Sequence, residues 1–185
     1  MFSASIPIAI PMQMPPVRVT PFSPIRECAR PNGAGKSTFY SLYFSNCSVP
    51  FLNADLLANK YNIDSYKAAE KIASLWDELV RVKKSFITET VLSDPVGAKV
   101  TFLKSTKAKG FDVTLVYIGI PSADFSARRV SARVDAGGYD VPLEKIQSRY
   151  DRTFVNLDRA IKLGLQVRIY DNTSIKKSLP LFSGI

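Results

Sequence analysis

The sequence contains one glycine-rich stretch that indicates its fold class, Arg30-Pro31-Asn32-Gly33-Ala34-Gly35-Lys36-Ser37-Thr38. It follows the P-loop pattern G-x-x-x-x-G-K-[ST] at every position but the first, where Arg30 replaces glycine. Glycines admit backbone conformations that side chains forbid, so the main-chain amides of such a loop can turn inward around an anion. The motif predicts that residues 32–38 hold the phosphates of ATP. Lys36 would reach the β- and γ-phosphates, and Ser37 would bind Mg²⁺.

The segment before the loop departs from the P-loop pattern. The loop should follow a buried strand, but residues 24–29 carry two charges and little apolar surface. Seven of the twelve prolines fall within residues 1–31, and proline disfavours both helices and central strands. We therefore expect an irregular arm over residues 1–30 and a P-loop domain over residues 31–185. Either the first strand is degenerate, or this N-terminus is not the ancestral one.

Composition narrows the function further. The 185 residues suit one globular domain, and no apolar run reaches the roughly 20 residues that span a membrane. The chain has no histidine, so a general base must be Asp, Glu, Lys or Tyr. Its two cysteines, Cys28 and Cys47, form no metal-binding pattern and are typical of a cytoplasmic protein. The net charge of +9 favours an anionic ligand, either a phosphorylated small molecule or a nucleic acid.

Short apolar runs alternate with helical patterns after the loop. Strands are predicted at residues 49–52, 85–88, 111–120 and 165–170, and helices at residues 65–83, 95–109, 122–136 and 142–163. The alternation predicts an α/β protein with a mainly parallel sheet, in the three-layer arrangement of P-loop NTPases and kinases. Ligands of such sheets bind beyond the carboxyl ends of the strands.

Acidic and polar residues stand where two predicted strands end. Asp55 follows Phe51-Leu52, where a carboxylate can accept the proton of a substrate hydroxyl. The alternative is that Asp55 caps a helix starting at Leu56. Glu89 and Thr90 follow the strand at residues 85–88 and are candidate ligands of substrate hydroxyls, the alternative being a solvated acid at a strand end.

Arginines recur on two predicted helices. Arg129 and Arg133 lie on one face of the helix at residues 122–136, and Arg149 belongs to a polar stripe of the next helix that also holds Lys145, Arg152, Asn156 and Arg159. A separate apolar stripe of that helix is expected to be buried: Leu143, Ile146, Tyr150, Phe154, Leu157 and Ile161. Arginine binds phosphate oxygens in pairs, so the two cationic faces predict a clamp over a triphosphate, with Arg133 and Arg149 ahead of Arg129. The alternative is a solvated basic face partnered by Glu144 and Asp151.

Together these motifs resemble the zeta toxin family of P-loop kinases. The resemblance is carried by residues 31–38, 51–55 and 86–93 and by the arginine helices with Gly137-Gly138-Tyr139 between them. Asn156-Leu157 and Tyr170-Asp171-Asn172 extend it. It implies transfer of a phosphoryl group from ATP, with Mg²⁺, to a hydroxyl of a small acceptor such as UDP-N-acetylglucosamine. It further implies that Asp55 is the base, that Glu89 and Thr90 belong to the acceptor pocket, and that an antitoxin protein is a partner. Members of the family often have Gly-Gly-His where this chain has Gly137-Gly138-Tyr139.

Three alternatives remain open from the sequence. One is a phosphotransferase of the same group that acts on a nucleoside or another small hydroxyl compound. Another is an ATP-binding protein whose catalysis is impaired by Arg30 and the weak first strand. The last is a basic nucleic-acid-binding domain, which would use Lys99, Lys104, Lys107 and Lys109. No recognition motif supports it, and these lysines are expected to form a solvated helix face.

Overall fold

The computed structural model describes residues 24–29, 32–135, 137, 140–173 and 181–182. Arg30 of the loop motif and Gly138 and Tyr139 between the arginine helices lie outside the described residues, as do residues 1–23 of the predicted arm. The side chains of Lys36 and Ser37 also lie outside the described part, although both residues belong to the first helix.

The strands form one six-stranded sheet in the order β2-β3-β1-β4-β5-β6. Every pairing is parallel except the last, between β5 and β6. The mainly parallel sheet predicted from the alternating pattern is therefore confirmed. The strands are β1 Pro24–Ala29, β2 Phe51–Leu52, β3 Phe86–Thr90, β4 Asp112–Gly119, β5 Gln166–Asp171 and β6 Leu181–Phe182.

Strand β1 corrects the predicted arm. The assignment of residues 24–29 to an irregular segment is wrong, because they form a strand near the middle of the sheet. Ile25 pairs with Phe86 of β3 on one side and with Val113 of β4 on the other, and its side chain is fully buried. Proline is tolerated at the first position of a strand, where Pro24 stands. Pairing with two neighbours outweighs the weak strand propensity of these residues.

The helices follow the predicted positions closely. Helix α4 begins at Ala98 rather than at Pro95, because Gly97 adopts a left-handed conformation with φ of 76°. The Asp94 carboxylate still accepts a hydrogen bond from the first helical amide, that of Ala98, at 2.5 Å. The helices are α1 Lys36–Tyr43, α2 Ala54–Tyr61, α3 Ser65–Arg81, α4 Ala98–Ala108, α5 Ala123–Asp135 and α6 Leu143–Lys162.

Both faces of the sheet are covered. Alternate residues of a strand point to opposite faces, and Leu115 and Val116 of β4 belong to different apolar clusters. The cluster around Leu115 includes residues of α3, α4 and α6, such as Trp76, Leu103 and Leu157. The cluster around Val116 includes Phe39, within α1, and Phe44, just after the end of α1. This is the predicted three-layer α/β arrangement. Across the described ranges, every helix is too short or too polar to cross a membrane.

Candidate active site

The glycine-rich loop joins the end of β1 to the start of α1. Gly33 and Gly35 have φ of 70° and 83°, in the left-handed region that favours glycine. Gly35 is the N-cap residue of α1, and no side chain caps this helix end in the described part of the chain. The first amides of a helix have no partner within the helix and carry its positive dipole end. The loop therefore has the backbone geometry that binds a phosphate group.

Helix α5 packs directly against this loop. A Cβ atom added to Gly33 would lie 2.9 Å from the carbonyl oxygen of Ser126 and 3.1 Å from Cβ of Arg129. The buried hydroxyl of Ser126 donates a hydrogen bond of 2.5 Å to the carbonyl oxygen of Asn32. Ser126 thus fixes the loop, a role for which the sequence offers no signal, because a serine within a helix is common.

Asn172 also holds the loop in place. Its side-chain amide donates to the carbonyl oxygen of Ala34 at 2.9 Å, and its backbone amide donates to the carbonyl oxygen of Gly119 at 2.9 Å. Asn172 directly follows β5, and Gly119 ends β4, so the loop is tied to two strand ends. In the sequence, Asn172 stands out only as part of the resemblance to the zeta toxin family.

A cavity of about 460 Å³ lies beside the loop, at the carboxyl ends of β2 and β3. One wall is apolar and includes Ile72 and Trp76 of α3. Four cationic side chains (Lys99, Arg133, Lys145, Arg149) and three carboxylates (Asp55, Glu89, Asp140) also line it. The structure thus gathers six of the predicted site residues around one space: Asn32, Asp55, Glu89, Thr90, Arg133 and Arg149. Gly33, Ala34, Gly35, Thr38 and Arg129 are not among the lining residues.

Asp55 lies in the first turn of α2 and is exposed to the cavity. The alternative that it caps this helix is wrong. The cap is Asn53, whose side-chain oxygen accepts a hydrogen bond of 2.9 Å from the amide of Leu56. Capping therefore does not account for an acid at position 55, and its predicted role as a base is compatible with its place in the cavity.

Glu89 and Thr90 form the last two positions of β3 rather than following it. Thr90 is buried, and its hydroxyl accepts a hydrogen bond from Nζ of Lys99. Lys99 also reaches the carbonyl oxygen of Val91 at 3.5 Å, so its predicted place on a solvated face is wrong. The first turn of α4 lies against the end of β3 and brings Lys99 into the cavity wall. The other three lysines, Lys104, Lys107 and Lys109, are exposed as predicted.

The three predicted arginines divide into two settings. Arg133 of α5 and Arg149 of α6 line the cavity. Arg129 instead lies beside the loop, with its guanidinium 4.5 Å from the ring centroid of Phe125. Partial burial lowers the pKa of Arg129 below its ordinary value.

The predicted stripes of α6 are wrong in part. Asn156, expected on the polar stripe, is almost fully buried, and its amide donates to the carbonyl oxygens of Leu92 and Asp94 at 3.1 and 2.8 Å. These bonds tie α6 to the segment after β3. Three members of the predicted apolar stripe are exposed: Leu143, Phe154 and Ile161. Ile146 and Leu157 are buried as predicted.

No family model matches the chain. A Haemophilus influenzae protein described as uncharacterized is 30% identical over 125 residues, which cover 64% of this chain and 86% of the relative.

Solved structures share the fold at lower identity. A chain of the PezAT chromosomal toxin-antitoxin system of Streptococcus pneumoniae is 17% identical with a TM-score of 0.59, over 83% of this chain and 69% of that one. The AvrRxo1-ORF1:-ORF2 structure with ATP is 15% identical with a TM-score of 0.64, over 89% of this chain and 59% of that one. Shikimate kinase from Bacteroides thetaiotaomicron is 14% identical with a TM-score of 0.52, over 83% and 89%. The chain therefore belongs to the family of the Haemophilus influenzae protein, and it has the P-loop kinase fold, which confirms at the level of fold the resemblance to the zeta toxin family.

Proposed function

We propose that the protein is a P-loop kinase that transfers the γ-phosphoryl group of ATP to a hydroxyl of a small acceptor. One observation carries the proposal. An uncapped helix N-terminus behind a left-handed glycine loop stands beside a cavity lined by Asp55, Glu89, Arg133 and Arg149. Phosphoryl transfer needs an anion cradle, a proton acceptor and cations that stabilise the transferred group, and these residues supply all three kinds of group.

Each residue has a distinct role in this proposal. The carboxylate of Asp55 takes the proton of the acceptor hydroxyl while the hydroxyl oxygen forms its bond to the γ-phosphorus and the bond to ADP breaks. Glu89 and Thr90 orient the acceptor, and Arg133 and Arg149 stabilise the negative charge of the transferred group. Arg129 reinforces the loop region from beside Gly33.

The proposal includes Mg²⁺ at the loop. This ion is commonly held by one or two protein oxygens together with phosphate oxygens and water. A hydroxyl at Ser37, directly after the loop lysine, is the expected protein ligand, and no carboxylate cluster is needed. When bound, the ion would neutralise charge on the β- and γ-phosphates. Lys36 is expected to reach the same phosphates.

The acceptor and the partner are finer points of the proposal. The cavity combines the apolar wall of Ile72 and Trp76 with cationic side chains, which suits a ringed, anionic acceptor. A UDP-amino sugar is the first acceptor to test because the sequence resembles the zeta toxin family. One structure with the same fold belongs to a toxin-antitoxin system and another contains the pair AvrRxo1-ORF1 and ORF2, which supports an antitoxin as a partner of this chain. The cytoplasm, suggested by the cysteine usage, is part of the same proposal.

The test is incubation of the purified protein with γ-radiolabelled ATP, Mg²⁺ and a panel of sugar nucleotides, nucleosides and small polyols. We expect labelled product with at least one acceptor, and we expect Lys36→Ala to abolish it while the melting temperature is retained. Lys71→Ala, at an exposed position of α3 away from the cavity, is the matched control. Turnover by Lys36→Ala at the wild-type rate would contradict the mechanism.

Two other outcomes distinguish the alternatives. ATP binding by calorimetry without ADP production, whatever the acceptor, would identify a nucleotide-binding protein with impaired catalysis. Steeply salt-dependent affinity for DNA or RNA that Lys36→Ala leaves unchanged would instead favour a nucleic-acid-binding domain.

A further inference from the structure

Lys99 comes from a different part of the fold than the other cationic side chains of the cavity. Arg133 belongs to α5, and Lys145 and Arg149 belong to α6, whereas Lys99 lies in the first turn of α4. Its Nζ donates a hydrogen bond to the hydroxyl of Thr90, the last residue of β3. The cavity therefore has a second source of positive charge, attached to a strand end.

The start of α4 is held in place from α6. Gly97, the N-cap residue of α4, is packed so closely that an added Cβ would lie 2.9 Å from Nη1 of Arg159. Arg159 also donates to the carbonyl oxygen of Pro95 at 3.4 Å. These contacts fix the backbone next to Lys99, and the bond to Thr90 keeps its ammonium group at the cavity wall. A charge that is already in position stabilises an anion without a cost of reorganisation.

Lys99 lies on the acceptor side of the cavity. Strands β2 and β3 are neighbours, and Leu52 pairs with Thr88. Asp55, the proposed base, soon follows Leu52 in the chain, and Thr90, which contacts Lys99, soon follows Thr88. Neighbouring strands lie about 4.8 Å apart, so the ammonium group and the base stand at adjacent strand ends. A group that binds to Lys99 would therefore belong to the molecule whose hydroxyl reaches Asp55.

We propose that Lys99 binds an anionic group of the acceptor, a phosphate or a carboxylate, that is separate from the reacting hydroxyl. The inference rests on the proposed function and names the acceptor class, a hydroxyl compound that already carries a negative charge. Such an acceptor repels the γ-phosphoryl group unless each anion meets a cation of its own. Arg133 and Arg149 serve the transferred group in the proposed mechanism, and Lys99 serves the acceptor.

The fluorescence of Trp76 tests this inference without turnover. Trp76 is the only tryptophan of the chain and lines the cavity, so its emission should report occupancy. The protein is first saturated with Mg²⁺ and AMP-PNP, a non-hydrolysable analogue of ATP, so that added anions do not compete for the phosphate loop. It is then titrated with matched pairs of compounds: glucose 1-phosphate and glucose, uridine monophosphate and uridine, gluconate and sorbitol. We expect the anionic member of at least one pair to bind about tenfold more tightly, and the pairs distinguish a phosphate from a carboxylate.

Three variants separate the charge of Lys99 from its place in the fold. Lys99→Met should weaken the anionic member about tenfold and leave the neutral member within about threefold, because a hydrogen bond to a charged group contributes more than one between neutral groups. Lys99→Arg keeps the charge and should keep most of the preference. Lys104→Met makes the same change at an exposed position of α4 outside the cavity and should have no effect. Should Lys99→Met not fold, Lys99→Gln takes its place, since a glutamine amide can still donate to Thr90.

The outcomes distinguish this inference from the proposed function. No preference for the anionic member in any pair, or equal losses for both members in Lys99→Met, would overturn the inference. So would phosphorylation of neutral acceptors as efficiently as of their anionic counterparts, which would leave the proposed function intact. Binding of anionic compounds that depends on Lys99, without transfer of label from ATP to any acceptor, would support the anion site and contradict the proposed function.

Discussion

The side-chain amide of Asn172 donates a hydrogen bond of 2.9 Å to the carbonyl oxygen of Ala34. A residue that follows the fifth strand thus holds the loop that follows the first strand, 138 positions earlier in the chain. The same side chain stands where a Cβ atom on Gly35 would have to go, at 2.9 Å. The shape of the phosphate loop therefore depends on a contact from a residue that is distant in the sequence but only two strands away in the sheet.

Replacement of Asn172 should loosen the loop. Asn172→Ala removes the partner of the Ala34 carbonyl, and we expect the free energy of unfolding to fall by about 1 kcal/mol and the affinity for AMP-PNP to drop several-fold. Urea unfolding and calorimetry measure the two effects. Asn46→Ala, at an exposed position after α1, is the control. Unchanged nucleotide affinity in Asn172→Ala would show that the tie does not shape the loop.

Gly33→Ala should combine two costs. The methyl group would require φ near 70° and would meet the carbonyl oxygen of Ser126 at 2.9 Å. Gly110→Ala separates these costs, because Gly110 has φ of 90° but no atom within 4 Å of an added Cβ. Backbone strain alone costs about 1–2 kcal/mol, so we expect Gly33→Ala to lose more stability than Gly110→Ala and to lose nucleotide binding as well. Equal stability losses in urea unfolding would count against a tight contact between the loop and α5.

Asp55→Asn tests the proposed base. The change keeps the size of the side chain but removes its basicity, so turnover should fall by about 10²–10⁴-fold. Asp55 lies in the first turn of α2, where a negative charge stabilises the helix by about 0.3–1 kcal/mol, so the loss of stability should stay within that range. Asp77→Asn, at an exposed position of α3, is the matched control for turnover. Full activity of Asp55→Asn would remove this residue from the mechanism.

Replacement of the neighbouring cap residue, Asn53, should affect stability more strongly than replacement of Asp55. Asn53 accepts the hydrogen bond from the amide of Leu56, and loss of an N-cap side chain costs about 1 kcal/mol. Asn53→Ala is therefore expected to lower the free energy of unfolding more than Asp55→Asn does. The reverse order in urea unfolding would assign the capping role to Asp55 after all.

The protein should become less stable at alkaline pH because of Tyr117. Its side chain is almost fully buried, its hydroxyl lies 3.0 Å from that of Thr153, and burial raises its pKa from 10.0 to about 12. The folded state favours the neutral phenol, so this contribution is complete below pH 10 and is lost as the pH rises from about 10 to about 12. The expected loss is about 2–3 kcal/mol. Urea unfolding at several pH values should show a shallower decline in Tyr117→Phe, and parallel curves would refute the assignment.

Local patterns predicted most of the helices and the main strands. Glycine spacing identified the loop, and apolar periodicity located α3, α5 and α6 to within a few residues. Strand β1 was missed because its residues have weak strand propensity. Its place in the sheet comes from pairing with β3 and β4, whose residues lie 60 or more positions away. Pairing over that distance leaves no signal in the local pattern.

The site was predicted only in part, again because contacts between distant residues leave no signal in the local sequence. Asp55, Glu89, Arg133 and Arg149 carry charge, and charge at a strand end or on a helix face is visible in a sequence. Ser126 and Asn156 act through hydrogen bonds to the carbonyl oxygens of distant loops. Nothing local distinguishes them from solvated polar residues. Lys99 was wrongly predicted to be solvated. The end of β3 lies against its face of α4, and the local sequence does not show this contact.

Helix α6 connects two parts of the cavity rim. Arg149 contributes to one part of the rim, and Val91 and Ser93 of the segment after β3 contribute to the other. Asn156, two turns or about 10 Å further along α6 than Arg149, is hydrogen-bonded to that segment. Because a helix is stiff over that length, these two parts of the rim should move as one unit. To move these two parts of the rim apart, both hydrogen bonds of Asn156 would have to break. A large acceptor should therefore find room more readily on the side of the cavity formed by α2 and α3.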